Sequence, residues 1–411
     1  MNGLADQHAA QHADERAELA ALIEWCSLPH IGPARLRVVL DGRTAVSAVE
    51  DLCSARAPLL EALNACRGVS ASLVAAWRDR LGSALRRAET TNQPVGEDRL
   101  RAHEQAGIWL HRPACTDADG LWDADPEPPV LLFGRGERID ARPRCVGIVG
   151  TRRCSAYGRT VAKLLGAGLA EEGVAVVSGL ATGIDGIAQR AALDAGGPVI
   201  GVVGSGLDCV YPSANRTLWT DVAAAGSLLS EYPLGTPAAP WRFPARNRIV
   251  AALCEVLVVV ESGPTGGSMY TVDAAAERDR LVMAVPGPIT SAASAGTNRL
   301  IVEGCAPACG VSDVLVALGG TATAAGPRAA GAMTAAAGDI AAAGCTTTVD
   351  HHVTDDPLLR SILDELVSGP RSVDELALAL KASLAALTSS LARLQLQGWV
   401  CETGGWWEKT R

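Results

Sequence analysis

The chain has 411 residues, of which 48% are hydrophobic and 20% charged, and its formal net charge is −9. This length predicts two to four domains, and the composition is that of a globular protein with a large core. No apolar run reaches the roughly 18 to 20 residues that a membrane-spanning helix needs, and the polar N-terminus is unlike a secretory signal, so we expect a cytoplasmic protein without a membrane segment. The acidic charge leaves room for a local basic patch.

Residues 1–98 are predicted to form an N-terminal helical domain. Leu19, Leu22, Ile23 and Cys26 follow helical spacing. Residues 28–36 then form a turn that contains Gly-Pro and joins two helices. This turn resembles the helix-hairpin-helix turn, whose backbone N–H groups bind a nucleic-acid phosphate. A helix–helix corner without a ligand explains the same residues, and the sequence does not separate the two interpretations.

Residues 99–318 are predicted to form the main domain, an open and mostly parallel α/β sheet with helices on both faces. Six near-continuous apolar runs are typical of strands that are buried on both faces. They are residues 145–149, 174–178, 198–203, 227–230, 256–260 and 281–285. Helix-length segments separate them, at 155–172, 183–195, 213–225 and 267–280. A ligand of such a sheet binds at the carboxyl ends of the strands.

Small and basic residues follow three of these strands. They are Gly150, Thr151, Arg152 and Arg153 after the first strand, Ser178 and Gly179 at the end of the second, and Gly204 and Gly206 after the third. Glycine lets the backbone approach a ligand closely, and free N–H groups bind an anion. Neighbouring arginines indicate that this anion is a phosphate.

The segment 242–248 contains three arginines and one of the two phenylalanines of the chain. Pro244 suits the first turn of a helix, which would place Arg246, Asn247 and Arg248 at the positive end of the helix dipole. Phe243 could stack on a nucleobase. The alternative is that Phe243 belongs to the core and that the arginines pair with Glu231 and Glu261.

The sequence favours binding over catalysis. It has neither a G-x-G-x-x-G fingerprint nor a Walker A loop, and none of its seven histidines lies within 145–318. The acidic residues at strand ends and helix starts could bind Mg²⁺ or act as a base, but helix capping and ion pairing explain them as well. They are Asp185, Asp208, Glu231, Glu261 and Asp273. We therefore predict no enzyme activity, no metal site and no cofactor.

Two further segments complete the chain. Residues 319–354 are rich in Ala, Gly and Thr and are predicted to be a flexible linker. Residues 355–411 are predicted to form three helices and a hairpin, as in a winged helix. Such a domain could bind DNA or dock a protein, and its acidic residues favour protein contact or autoinhibitory packing.

Seven ordered motifs between residues 100 and 318 resemble the DNA-processing protein A (DprA, also called Smf) family. They are Gly150-Thr-Arg152 with Tyr157-Gly158, Ser178-Gly-Leu-Ala-Thr-Gly-Ile-Asp185, Gly204-Ser-Gly-Leu-Asp208 with Tyr211-Pro212 and Asn215, Ser230-Glu231, Phe243-Pro-Ala-Arg-Asn-Arg-Ile249, Gly266-Gly-Ser268 and Val285-Pro-Gly287. The helical domain, of helix-hairpin-helix or SAM-like type, and the winged-helix tail are similar to extensions in this family.

The resemblance implies a Rossmann-like fold that binds single-stranded DNA without enzyme activity. It also implies that the protein acts as a homodimer, protects incoming strands during natural transformation and loads the recombinase RecA onto them. Carried over to this chain, Arg152, Arg153, Ser178, Gly179, Arg246, Asn247 and Arg248 would contact DNA phosphates. Phe243, Gly150, Thr151, Gly204 and Gly206 would shape a base-binding pocket.

The chain departs from the family pattern at two places. Gln189 occupies a position where the family usually has histidine, and Met269-Tyr270 replaces an apolar pair. The alternative function is an enzyme acting on a nucleotide or another small phosphorylated ligand, similar to nucleotide phosphoribohydrolases. That class carries a P-G-G-x-G-T loop with a following glutamate, from which residues 263–268 depart.

Overall fold

The structure is a computed structural model that describes residues 2–113, 122, 125–139, 144–319, 356–366, 371–380, 382–396, 399–403 and 406–409. The chain divides into two compact units, one ending near residue 323 and one following it, and each is described by itself. The predicted linker lies almost entirely outside the described residues. No described helix combines the length and the apolar composition required to cross a bilayer.

A layer of six helices begins the first unit. They are α1 (Asn2–Cys26), α2 (Pro33–Leu40), α3 (Ala45–Cys53), α4 (Ala57–Ala65), α5 (Ala71–Thr91) and α6 (Glu97–Gln105). Side-chain oxygens satisfy free N–H groups at two of their starts, where Thr44 accepts from Ser47 and Ser70 accepts from Leu73. Trp25 and Trp77 are fully buried between the helices.

The described part of the chain contains a nine-stranded mixed sheet. Its strands are β1 (Trp109–His111), β2 (Leu132–Gly136), β3 (Cys145–Val149), β4 (Ala175–Ser178), β5 (Val199–Val203), β6 (Ser227–Ser230), β7 (Val256–Val259), β8 (Leu281–Ala284) and β9 (Ala306–Pro307). The strand order is β1-β2-β6-β5-β4-β3-β7-β8-β9. All pairs from β6 to β9 are parallel, and β1 and β2 add an antiparallel edge. In chain order, strands β4 to β6 are added on one side of β3, and strands β7 to β9 are added on its other side. Open α/β sheets bind ligands at the point where the direction of strand addition reverses in this way.

Helices cover both faces of the sheet. They are α7 (Ala156–Glu171), α8 (Ile184–Asp194), α9 (Arg216–Ala225), α10 (Arg242–Leu253), α11 (Met269–Ala276), α12 (Ala295–Val302) and α13 (Val311–Ala317). The buried residues of α7, α8 and α9 share one cluster with those of the N-terminal helices, whereas α10 and α11 pack in a second cluster on the opposite face. The predicted Rossmann-like fold class and six of the strands are therefore confirmed.

The second unit contains the predicted three helices and hairpin. The helices are α14 (Pro357–Glu365), α15 (Val373–Leu380) and α16 (Leu384–Leu396), and the strands are β10 (Arg371–Ser372), β11 (Val400–Thr403) and β12 (Trp406–Lys409). Asp356 caps α14 by accepting a hydrogen bond from Leu358. β12 pairs with both other strands, and the helices enclose a small core that includes Ile362 and Leu391. This arrangement is a winged helix.

Candidate nucleic-acid interface

A groove of about 540 Å³ lies at the carboxyl ends of β3 and β4. The turn after β3 forms its floor. Gly150 has no room for a side chain, because a Cβ there would lie 2.6 Å from Ile184 Cγ1 and 2.9 Å from the Glu261 carbonyl oxygen. The Thr151 N–H donates to the same carbonyl at 2.7 Å. The turn is therefore fixed against the end of β7.

The side chain of Glu261 holds the start of α7. Its carboxylate accepts hydrogen bonds from the Ser155 backbone N–H at 2.9 Å and from the Ser155 hydroxyl at 2.6 Å. A carboxylate is favourable at this end of a helix because of the helix dipole. Glu261 is thus a structural residue that is 1% exposed, and it does not pair with the arginines of segment 242–248.

Two side chains from loops and one from the first turn of α10 form a stack at the rim of the groove. The rings of Phe243 and Tyr211 are stacked with centroids 5.3 Å apart and planes 30° apart. The Arg152 guanidinium lies 5.2 Å from the centre of the Phe243 ring. Arg152 is exposed and has no ion-pair partner within the described residues. The stack combines flat aromatic surface with a free cation, which suits a base and its phosphate.

Arg246 forms a buried, positively charged part of the groove wall. It is 5% exposed, and its Nη1 donates to the Val202 carbonyl oxygen. A Cβ at Gly179 would lie 2.3 Å from Arg246 Nη2, so only glycine leaves space for this guanidinium. Burial lowers the pKa of Arg246 to about 10, with the nearby Asp185 opposing the change, and the side chain remains a cation at neutral pH.

Asp185 lies close to Arg246 and also lines the groove. Its Oδ2 accepts a hydrogen bond from the Gly179 N–H at 3.2 Å. Burial raises the pKa of this carboxyl group, and the charge of Arg246 acts in the opposite direction. Asp185 therefore partly offsets the positive charge of the wall and fixes the Gly179 turn.

Several predicted site residues do not line the groove. Arg248 is buried in an ion pair with Glu231, and its Nη1 donates to the Glu127 carbonyl oxygen at 2.6 Å. Two residues along a helix correspond to a rotation of roughly 200°, so Arg246 and Arg248 point to different sides of α10. In this structure Arg248 therefore forms an ion pair with Glu231, as in the alternative interpretation of the sequence, and does not line the groove.

Other predicted residues support the groove from outside. The Ser178 hydroxyl is buried and donates to the Ile148 carbonyl oxygen at 2.6 Å. Gly204 lies beside Phe243, and Gly206 packs against the Pro233 carbonyl oxygen. Arg153 is exposed next to Arg152 but is not part of the lining. The groove itself brings together Gly150, Thr151, Arg152, Gly179, Phe243, Arg246 and Asn247.

Tyr211 and Tyr270 also line the groove and are 46% and 59% exposed. Neither was among the site residues predicted from the sequence. Tyr211 was contained in a family motif but was given no role. Nearby, Asn215 Nδ2 donates to the carbonyl oxygens of Leu180 and Ala181 at 2.9 and 3.0 Å, which fixes the loop before α8. The sequence signal that could have identified Tyr211 is its aromatic side chain in the segment that follows the turn of Gly204 and Gly206.

Gln189 performs a structural role at the position where histidine was expected. Its Oε1 accepts from the Leu180 N–H at 3.1 Å, and its Nε2 donates to the Ile200 carbonyl oxygen at 3.0 Å. The side chain is fully buried. The glutamine, which lies on α8, thus connects the loop after β4 to the backbone of β5.

The groove can bind anions and stack bases. Its cations are Arg152 and Arg246, and Thr151 and Ser268 contribute polar groups to its lining. Within the described ranges, no three His, Cys, Asp or Glu side chains are grouped as a metal site would require.

Comparison with known proteins agrees with the fold. The family described as DNA recombination-mediator protein A matches residues 119–319, and the DprA winged helix domain matches residues 350–405. A putative DNA processing protein DprA of Mycobacterium tuberculosis is 48% identical over 178 residues, which are 43% of this chain and 46% of that protein. The matched region thus spans about half of that relative.

Two comparisons involve proteins of Streptococcus pneumoniae. The DNA processing protein DprA of this organism is 41% identical over 199 residues, which are 48% of this chain and 69% of that protein. The X-ray structure of DNA processing protein A from S. pneumoniae has a TM-score of 0.58 and 30% identity. The structural match covers 97% of the S. pneumoniae chain and 73% of this chain.

Proposed function

Because this chain belongs to the DNA recombination-mediator protein A (DprA) family, we propose that it binds single-stranded DNA in the groove at the carboxyl ends of β3 and β4. The observation that carries the proposal is the stack of Arg152, Phe243 and Tyr211 beside the buried cation Arg246. A base would stack on the aromatic rings while its phosphates contact the Arg152 guanidinium and the Thr151 hydroxyl, which line the groove.

The revised set of contacts is smaller than the set predicted from sequence. We assign the phosphate contacts to Arg152 and the Thr151 hydroxyl, with Arg246 supplying positive charge, Gly179 leaving room for its guanidinium and Asn247 lining the groove. Arg248 and Ser178 are assigned to the support of the fold, because both are buried and hydrogen-bonded within the protein. A nucleotide-cleaving enzyme is not proposed, since Asp185 and Glu261 hold backbone N–H groups.

A titration of fluorescently labelled oligo-dT by anisotropy tests the binding site. Arg152→Ala is expected to weaken binding about tenfold and to reduce the slope of log affinity against log salt by about 0.7, the value for one phosphate contact on a single strand. Phe243→Ala is expected to cost ~1–3 kcal/mol of binding free energy.

Arg153→Ala is the matched control, because Arg153 is the neighbouring exposed arginine and lies outside the groove. It should change affinity much less than Arg152→Ala. Equal effects of the two substitutions would show that binding depends on general charge and not on the groove. A duplex competitor completes the test, since stacking on Phe243 requires unpaired bases.

The wider role that we propose follows from the family. We infer that the protein acts in the cytoplasm as a homodimer, protects incoming single strands from nucleases and loads RecA onto them during natural transformation. Nuclease digestion of a bound strand, light scattering of the purified protein and RecA filament formation on the bound DNA test these three parts separately. Unchanged digestion, a monomeric mass or unaltered filament growth would each remove the corresponding part.

A further inference from the structure

A second cleft, of about 400 Å³, lies beside the groove, between the turn at residues 28–36 and the segment 231–242. Its size falls within the ~300–1,000 Å³ range of sites for small ligands. Three consecutive residues connect it to the groove. Trp241 and Arg242 line the cleft, and Phe243 lines the groove. A strand that leaves Phe243 along this segment enters the cleft directly.

The cleft offers an aromatic surface and a cation in contact with it. Trp241 is 48% exposed, and its ring lies 4.0 Å from the position of a Cβ at Gly32, so it faces the turn of the helical layer. The Arg242 guanidinium lies 4.9 Å from the Trp241 ring and 4.7 Å from the Tyr232 ring. An exposed indole with an adjacent guanidinium is suited to stack a base and contact its phosphate.

The charge of the cleft favours an anionic ligand. Arg80 and Arg242 line it, and neither has an acidic partner within the described ranges. Helix α2 starts at the cleft without a side-chain cap, so its first N–H groups add positive potential. The negative charge of Glu231 is offset by its ion pair with Arg248.

Three residues that line the cleft also carry buried polar atoms without hydrogen-bond partners. In the described structure, Glu231 Oε2, Tyr232 Oη and Arg242 Nε make no hydrogen bond. Glu231 and Tyr232 are only 7% and 6% exposed. An unpaired buried polar atom is costly, and native proteins contain few of them. The edge of a nucleobase carries both donors and acceptors and would satisfy these side chains once they turn toward the cleft.

We propose that this cleft is a second binding site for the same DNA strand, in which Trp241 stacks a base while Arg242 and Arg80 contact phosphates. This inference rests on the proposed single-strand binding in the groove and extends it to a longer segment of the strand. It also gives the turn at residues 28–36 a role as one wall of the cleft.

Oligonucleotides of two lengths distinguish binding in the groove alone from binding that also uses the cleft. Oligo-dT of about 5 nucleotides fits the groove alone, whereas about 20 nucleotides exceed the ~4–16 nucleotides bound by typical single domains and reach both sites. Trp241→Ala is expected to weaken binding of the longer oligonucleotide about tenfold and to leave the shorter one unchanged. Trp241→Phe keeps an aromatic ring and should restore most of the affinity.

The salt dependence of DNA affinity gives an independent test of the second site. Arg80→Ala is expected to reduce the salt slope for the longer oligonucleotide by about 0.7 and to have no effect on the shorter one. Arg299→Ala is the control, because Arg299 is exposed, pairs only with Glu303 among the described residues and lines neither cavity. Quenching of tryptophan fluorescence by the longer oligonucleotide should be smaller in Trp241→Phe than in the parent protein.

The outcomes distinguish the two proposals. Equal affinity of Trp241→Ala and the parent protein for the longer oligonucleotide overturns the second site, and so does an equal loss at both lengths. If Arg152→Ala still weakens binding in either case, the groove proposal survives. Failure of the parent protein to bind both oligonucleotides overturns both proposals. Circular dichroism shows whether Trp241→Ala is folded, and Trp241→Phe keeps the test valid if it is not.

Discussion

Substitution of Arg248 by alanine is expected to destabilise the protein while leaving unchanged the affinity of the folded protein for short oligonucleotides, which occupy the groove alone. The reason is the position of this arginine. Its side chain is 8% exposed, that of its partner Glu231 is 4% exposed, and its second interaction is with the Glu127 carbonyl oxygen. None of these contacts involves the groove.

The expected magnitude follows from the burial of the pair. Removal of one partner leaves the Glu231 carboxylate buried without a counter-charge, and such changes cost ~3–5 kcal/mol of unfolding free energy. Burial already raises the pKa of Glu231, and Arg248 opposes that rise. Removal of both charges together, in Arg248→Met with Glu231→Leu, should recover most of the loss, because well-packed apolar residues often replace a buried pair at little cost.

Urea denaturation followed by circular dichroism measures these differences, and anisotropy with short oligo-dT measures affinity below the unfolding transition. Arg299→Ala again serves as the control, since its ion pair with Glu303 is exposed to solvent and contributes little to stability. The reasoning is refuted if Arg248→Ala is as stable as the parent protein. It is also refuted if the folded variant loses as much DNA affinity as Arg152→Ala.

Gly179→Ala and Gln189→Ala probe the support of the groove, and His103→Gln probes the contact between the helical layer and the segment after β6. Gly179→Ala should cost ~1–3 kcal/mol in urea denaturation and weaken DNA binding, because the new Cβ would displace the Arg246 guanidinium. Gly267→Ala is its control, since a Cβ at Gly267 meets no atom within 4 Å. Gln189→Ala should cost ~1–3 kcal/mol by the same measurement, because the Leu180 N–H and Ile200 carbonyl lose a buried partner; unchanged stability would contradict that role. His103 should make the protein less stable in acid. Burial lowers its pKa, and its Nε2 must be unprotonated to accept from the Leu234 N–H. Its contribution is complete above the unfolded-state pKa of about 6.5 and decreases as pH falls from there to the lowered folded-state value. His103→Gln should flatten this part of the stability profile, and an unaltered profile would exclude His103 as its source.

The parallel strands could be predicted from sequence because their residues are apolar on both faces. Val256–Val259 and Val199–Val203, for example, are runs of buried residues with turn residues after them. Strands β1, β2 and β9, at the two sides of the sheet, were not predicted. β1 has three half-buried residues, and its position depends on pairing with residues more than 20 positions away.

The candidate site was predictable as a region but not in its geometry. Turn glycines and arginines marked the correct loops, since such residues are informative within a single turn. The stack of Arg152, Tyr211 and Phe243 depends on two loops and the start of α10, which are distant from one another in sequence. The direction of Arg248 depends on the phase of α10, which starts at Arg242, and on a partner at the end of β6.

The shared core of the helical layer and the sheet has a consequence for cooperativity. The apolar cluster that contains Trp25 and Trp77 continues without interruption to Val146 and Ile148 in the central strand β3. The ring contact of His103 with Phe133, at 5.0 Å, belongs to the same junction. The first unit should therefore melt in one transition, and release of its first hundred residues would expose apolar surface of the layer that supports the groove.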